Sequence, residues 1–205
     1  MKALLGSSSH TNSFLTELLI KKPEETSVVF ITTAAKPYGD DVSWMHADID
    51  SLKALGCSVD LLDIEGMNEE ELRLKLEQYD VIFVSGGNTY FLLDHVRKSG
   101  FDVVVKDLVE KGRIYAGTSA GAILATPTIE SAKDADDASI APDLTDMTGL
   151  GFVDFCIIPH YDKNEYQEYW KSIIKEWDRP EMLFLLNDGE AIIIDGKAIR
   201  VVMRD

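Results

Sequence analysis

Three short runs of apolar residues, rich in β-branched and aromatic side chains, set the limits on how this chain can fold. They are SVVFITT at 27–33, DVIFVS at 80–85 and RIYAG at 113–117. Continuous apolar runs of this length suit strands buried on both faces better than strands with one wet side. Helical periods lie between them. Residues 41–55 carry apolar side chains at 42, 45, 49, 52 and 55, and Gly56 ends the pattern. Residues 69–78 open on acidic side chains, which the helix dipole favours. Further helices are expected at 13–21, 90–98, 103–111, 120–125 and 165–177, and further strands at 2–6, 58–64, 152–158 and 182–186. Alternation of this kind implies an α/β fold, a mostly parallel sheet with helices on both faces. The tail AIIIDGKAIRVVMR, with its Asp195-Gly196 pair, reads as a C-terminal β-hairpin. No linker interrupts the pattern, so one domain is expected over 1–205.

Composition narrows the partners. The chain has 36 acidic against 20 basic residues, a net charge of −16. A field of that sign repels phosphate backbones and anionic lipid, so neither nucleic acid nor membrane is an expected partner. The apolar run near the N-terminus is three residues, too short for a signal-peptide core, and no run approaches a membrane span. The cytoplasm is the expected compartment. Cys57 and Cys156 read as small buried hydrophobes, and no His/Cys spacing suits a metal, so no cofactor is expected.

The chemistry concentrates in a few residues. Gly117-Thr118-Ser119-Ala120-Gly121 is a G-x-S-x-G sequence between an expected strand and an expected helix, the setting of a nucleophile elbow. It lifts Ser119 to the carboxyl edge of the sheet and lets the Ala120 N–H face a developing oxyanion. The bland alternative is a tight turn with a capping serine. Gly86-Gly87-Asn88 ends another strand, where glycine lets backbone N–H groups approach a ligand. A serine hydroxyl needs a base. His160, after Pro159 at a strand end, is the better candidate, with His10 in the first loop as the other. His46 and His95 fall on helices. The base needs an orienting carboxylate, and two are available. Asp188 ends a late strand, and Asp134 lies in the aspartate-rich loop 130–149. A strand end holds a side chain more rigidly, which favours Asp188. Asn88 and Thr118, beside the two turns, are candidate substrate-binding residues. The acidic loop is expected to border the site and to attract a substrate amino group.

Together these pieces resemble the peptidase E family of serine peptidases, which includes aspartyl dipeptidases. The matching stretches are VSGGNTYFLL at 84–93, GTSAGAILATPTI at 117–129, IPHY at 158–161 and NDGEAI at 187–192. The resemblance implies a fold similar to class I glutamine amidotransferases, with a serine nucleophile. It implies Ser119 as nucleophile, His160 as base, Gly87 and Ala120 as oxyanion-hole donors, and either Asp134 or Asp188 as the acid. Two features depart from it. The family's aspartyl dipeptidases carry an arginine after the histidine, where this chain has DKNEYQEYWKSIIK with Lys163 as the nearest cation. The family often has tryptophan where Thr118 stands, and GTSAGA resembles the related cyanophycinases as well. The expected function is therefore hydrolysis of short peptides by a serine dipeptidase-like protease, without strict aspartyl specificity. The alternatives are an esterase or amidase using the same residues, or a non-catalytic small-molecule-binding domain.

Overall fold

The computed structural model describes residues 1–204. Its central sheet has seven strands in the order β3-β2-β4-β5-β1-β8-β9. The first five strands of that order run parallel: β3 (Ser58–Leu62), β2 (Ser27–Ile31), β4 (Val81–Val84), β5 (Ile114–Thr118) and β1 (Lys2–Gly6). The last two, β8 (Glu190–Asp195) and β9 (Ala198–Met203), form the antiparallel hairpin expected around Asp195-Gly196. The α/β reading with a mostly parallel sheet holds.

The apolar runs are buried on both sides, as their composition requires. One face packs Leu5, Ile31, Val84 and Tyr115 under α2 (Glu69–Leu76), α3 (Thr89–Ser99), α4 (Phe101–Glu110) and α5 (Ala120–Leu124). The other packs Leu4, Phe30, Phe83 and Ala116 against α1 (Ser43–Ala54) and the N-terminal turn. Phe30 and Phe83 stack there with ring centroids 5.0 Å apart. Neighbouring residues of one strand therefore feed two cores. Among the described residues, no helix is long and apolar enough to cross a membrane.

Three elements differ from expectation. The helix expected at 13–21 is a 3-10 helix, Ser9–Glu17. The hydroxyls of Thr11 and Thr16 bond to carbonyls three residues back, which competes with α-helical pairing. The strands β6 (Phe155–Ile158) and β7 (Met182–Leu185) leave the main sheet and form a two-stranded parallel sheet of their own. Helix α6 (Gln167–Glu176) connects them.

Helix α5 comes unusually close to the sheet at Gly121. A Cβ built there would lie 2.1 Å from the Val84 carbonyl oxygen, on the backbone of β4. Helix propensity alone favours Gly121→Ala by up to about 1 kcal/mol. The clash reverses the sign: the variant should lose roughly 2–3 kcal/mol through overpacking. A thermal melt should show a Tm lower by roughly 4–10 °C; a rise would contradict this packing.

Candidate active site

The carboxyl ends of β1, β4 and β5 lie side by side, and the chain leaves each through a small-residue turn. In open α/β sheets, ligands bind beyond these ends. A cavity of about 520 Å³ opens there, lined by Ser7, Gly87, Ser119, His160 and Asp188 among others.

Ser119 sits in the turn between β5 and α5 with φ 50° and ψ −113°, a conformation L-residues rarely adopt. Its N–H donates to the Gly6 carbonyl at 3.0 Å. Its own carbonyl accepts from the N–H groups of Ala122 and Ile123. The Tyr115 hydroxyl, wholly buried, donates to the Gly121 carbonyl at 2.7 Å and braces the same turn. With the backbone held at both ends, the Ser119 side chain faces the cavity.

His160 Nε2 lies 3.0 Å from Ser119 Oγ, and His160 Nδ1 lies 2.5 Å from Asp188 Oδ1. The carboxylate on Nδ1 fixes the tautomer, placing the proton on Nδ1 and the lone pair on Nε2. The small sheet explains why these two side chains meet. Ile158 pairs with Leu185, the Leu186 N–H donates to the Ile158 carbonyl, and the Tyr161 N–H donates to the Leu186 carbonyl. His160 and Asp188 therefore emerge beside each other just beyond two paired strand ends.

Asp188 holds its charge firmly. Burial alone would raise its pKa, but the His160 ring and the Lys163 ammonium, 3.0 Å from its other oxygen, hold it well below the usual carboxylate range. Lys163 thus engages Asp188 rather than standing free as a substitute for the family's substrate-binding arginine. Ser7 joins the assembly from β1. Its hydroxyl accepts from the His160 N–H at 2.8 Å and donates to Asp188 Oδ1 at 3.3 Å. The Ser8 hydroxyl donates to the Asp188 carbonyl at 2.7 Å.

The other expected site residues divide. The N–H groups of Gly87 and Ala120 find no protein acceptor among the described residues. Gly87 has φ 139°, and a Cβ there would lie 2.1 Å from the Ala34 carbonyl oxygen, so only glycine fits this turn. Asp134 lies elsewhere, lining a second cavity with Lys133, Glu176 and Arg179, because the loop turns away at its positive φ of 64°. It makes no contact with His160. Asn88 does not line the main cavity. Its Oδ1 caps α3 through the Phe91 N–H, and its Nδ2 donates to the Asp137 carbonyl, so both ends serve the fold. Thr118 does line the cavity, but its hydroxyl donates to Asp48 Oδ2 at 2.8 Å. His10 lines the cavity at its rim, exposed and 3.1 Å from Ser8 Oγ. His46 and His95 lie on α1 and α3 and do not line it. Cys57 and Cys156 are both free and buried, as expected.

Three cavity carboxylates, Asp48, Asp136 and the exposed Glu165, carry no signal in the sequence. Asp48, only 2% exposed, accepts from Asn12 Nδ2 and Thr118 Oγ1. Asp136 lines the same cavity from the acidic loop, the only aspartate of that loop to do so. Burial pushes the Asp48 carboxyl up to about 6, against the opposing pull of Asn12, Thr118 and His160.

The most decisive comparison is with a family model: residues 3–202 match that of peptidase family S51. This chain belongs to peptidase family S51. It is accordingly a serine-type peptidase. Among S51 relatives, an uncharacterised peptidase of Listeria monocytogenes serovar 1/2a is 33% identical over 174 residues, covering 84% of each chain. A peptidase E of Salmonella arizonae is 37% identical over 108 residues, 53% of this chain and 45% of the relative. In three dimensions, the crystal structure of a protein assigned as peptidase E from Listeria monocytogenes EGD-e superposes with a TM-score of 0.91 at 30% identity. That superposition covers 100% of this chain and 98% of the other. A peptidase from an acI-B1 Actinobacterium shares the fold, with a TM-score of 0.75 at 18% identity over 99% of this chain and 87% of that one.

The Asp48 carboxyl of this S51 peptidase makes stability depend on pH with a definite sign. Its folded-state pKa, about 6, lies above the ordinary value near 3.8. As pH rises from about 4 to above 6, the folded state must ionise a carboxyl it holds poorly, so this group's contribution to stability falls. Asp48→Asn stays neutral and keeps an acceptor for Asn12 and a donor for Thr118. Urea unfolding at pH 4 and pH 8 should show the variant gaining on wild type by on the order of 2 kcal/mol at the higher pH. An unchanged difference between the two pH values would count against the buried, uncompensated charge.

Proposed function

We propose that this chain hydrolyses short peptides, as a dipeptidase-like enzyme, through Ser119, His160 and Asp188 acting as a catalytic triad. The observation that carries the reading is the unbroken series Ser119 Oγ–His160 Nε2 and His160 Nδ1–Asp188 Oδ1, at 3.0 and 2.5 Å. Two unengaged amide donors, at Gly87 and Ala120, stand at the same strand ends.

In this mechanism Ser119 Oγ attacks the scissile carbonyl carbon while His160 Nε2 takes the hydroxyl proton. The carbonyl electrons move onto oxygen, and the Gly87 and Ala120 N–H groups stabilise that charge. One such donor contributes about 2.7–4 kcal/mol to lowering a barrier of this type. The intermediate collapses, the C–N bond breaks, and the imidazolium gives its proton to the departing amine. A water molecule then attacks the Ser119 ester, losing its proton to His160, and the acid is released with Ser119 reprotonated. Asp188 stays ionised throughout and stabilises the imidazolium. Every proton has a donor and an acceptor within this set of residues.

The residues around the cavity bear on substrate choice. No arginine lines it among the described residues, and Lys163 is engaged by Asp188. An acidic first residue would find no fixed cation, which argues against strict aspartyl specificity. A small peptide is the partner this reading assigns. The buried, unpaired thiols of Cys57 and Cys156 fit a reducing compartment such as the cytoplasm.

Hydrolysis of a dipeptide panel with acidic, neutral and basic first residues tests this assignment. Ser119→Ala should abolish turnover of whichever members are cleaved. Asp188→Asn should lower kcat by roughly 10³–10⁴-fold, as expected where the orienting carboxylate is removed. Asp134→Asn should stay within about twofold of wild type, since it lies outside the hydrogen-bonded series. Retained turnover in Ser119→Ala, or equal losses in the two aspartate variants, would sink the triad as drawn.

A further inference from the structure

Four carboxylates line the cavity, Asp48, Asp136, Glu165 and Asp188, and of the two without a side-chain partner among the described residues, Asp136 and the exposed Glu165, only Asp136 is fixed in place by a backbone hydrogen bond. Its Oδ2 accepts the Thr89 N–H at 2.8 Å. Among the described residues its other oxygen meets no donor, and no lysine, arginine or histidine pairs with it. Asp188 has His160 and Lys163, and Asp48 has Asn12 and Thr118. Asp136 is thus a carboxylate facing the reaction cavity with half of its bonding capacity open. Burial raises its pKa, while the proximity of Thr89 and the field of His160 oppose that rise.

Thr89, the residue that holds Asp136, adds a second polar group to the same wall. It is wholly buried, lines the cavity, and its Oγ1 has no hydrogen-bond partner. A buried hydroxyl without a partner is costly unless a ligand or water completes it. Tyr38 and Tyr166 line the cavity too, and burial pushes both phenol pKa values up, helped at Tyr38 by the Asp136 charge and at Tyr166 by Glu165 and then Asp136. A carboxylate, an unpaired hydroxyl and aromatic rings together form a setting suited to an ammonium group.

The turn that carries Thr89 also sets the distance. Gly87 and Thr89 are two residues apart, so their amide nitrogens lie at most about 7 Å from each other. The carboxylate bonded to Thr89 is then within about 10 Å of the Gly87 N–H. An amino acid whose carbonyl oxygen rests on Gly87 and whose own α-ammonium rests on Asp136 bridges roughly 9 Å, both hydrogen bonds included. One further residue adds about 3.5 Å and overshoots.

We propose that Asp136 binds the α-ammonium group of the substrate, with the Thr89 hydroxyl beside it, and so sets cleavage at the first peptide bond of a chain with a free amino terminus. This rests on the Ser119 peptidase reading and adds the specificity-determining residue. Asp136 takes no part in bond breaking; it acts by placing the first carbonyl against Ser119.

The test compares wild type, Asp136→Asn and Ser119→Ala on three probes: alanine p-nitroanilide, its N-acetylated counterpart and p-nitrophenyl acetate. The ester has no amine and reports Ser119 alone. Asn keeps an acceptor for the Thr89 N–H, so the fold is preserved. Wild type should prefer the free amine over the acetylated probe by about 100-fold in kcat/KM, the scale expected for one desolvated charge pair. Asp136→Asn should lose that preference while hydrolysing the ester as wild type does. Equal wild-type rates on free and acetylated anilides would overturn the proposal and leave the peptidase reading standing. So would a parallel loss of ester and anilide hydrolysis in Asp136→Asn, which would mark a purely structural residue. Failure of wild type on all three probes, with no labelling of Ser119 by a fluorophosphonate, would instead bring down the peptidase reading and this proposal with it.

Discussion

The architecture depends on how tightly helix α5 is pressed into the sheet. Gly117 and Gly121 leave almost no space between β5, β4 and the first turn of the helix. That closeness forces Ser119 into its positive-φ conformation, and the Gly6 carbonyl and the Tyr115 hydroxyl keep it there. Strain of this kind persists only where the surroundings over-determine the backbone. Here the surroundings are the buried centre of the sheet. The hydroxyl is therefore presented by the core itself rather than by a mobile loop.

The partners of Ser119 come from a different body of structure. His160 and Asp188 leave the ends of the two-stranded sheet, whose register sets them side by side. Two separate sheets must hold a hydrogen bond of 3.0 Å between them. Ser7 spans that gap: it follows β1 in the main sheet, and its hydroxyl holds both the His160 backbone and the Asp188 side chain. Lys163 closes the remaining oxygen of Asp188. The electrostatics are divided in the same way, with a compensated carboxylate behind the histidine and uncompensated ones on the far walls of the cavity.

Much of this was legible in the sequence, for identifiable reasons. Buried parallel strands leave continuous apolar runs, and a serine between glycines at a strand-to-helix junction has few purposes, so the sheet, Ser119 and Gly87 stood out. His160 was legible because few histidines compete for the role. Asp188 rather than Asp134 lies against His160, and the reason is only half present in the sequence. A strand end is rigid, yet that β6 and β7 pair with each other in register is a tertiary fact that no local pattern records. Asn88 looked like a ligand contact because it sits in the right turn, but capping α3 and strapping the loop at Asp137 engage its whole side chain. Ser7, Asp48, Asp136 and the pairing of Lys163 with Asp188 were invisible for a common reason. Each matters only through which strand ends and loops converge in space. The 3-10 helix at Ser9–Glu17 was missed because side-chain hydroxyls rewrote a weak helical pattern.

The position of β8 has a consequence for the order in which activity can appear. This strand follows directly after Asp188 and pairs along its length with β1, so the first and last parts of the sheet meet beside the histidine. Of the three side chains Ser119 comes first along the chain, His160 next and Asp188 last, with β8 behind it. Asp188 is held in place only after β8 has docked onto β1. Contacts so distant along the chain form late in folding. The Ser119–His160–Asp188 series is thus complete only once the sheet has closed.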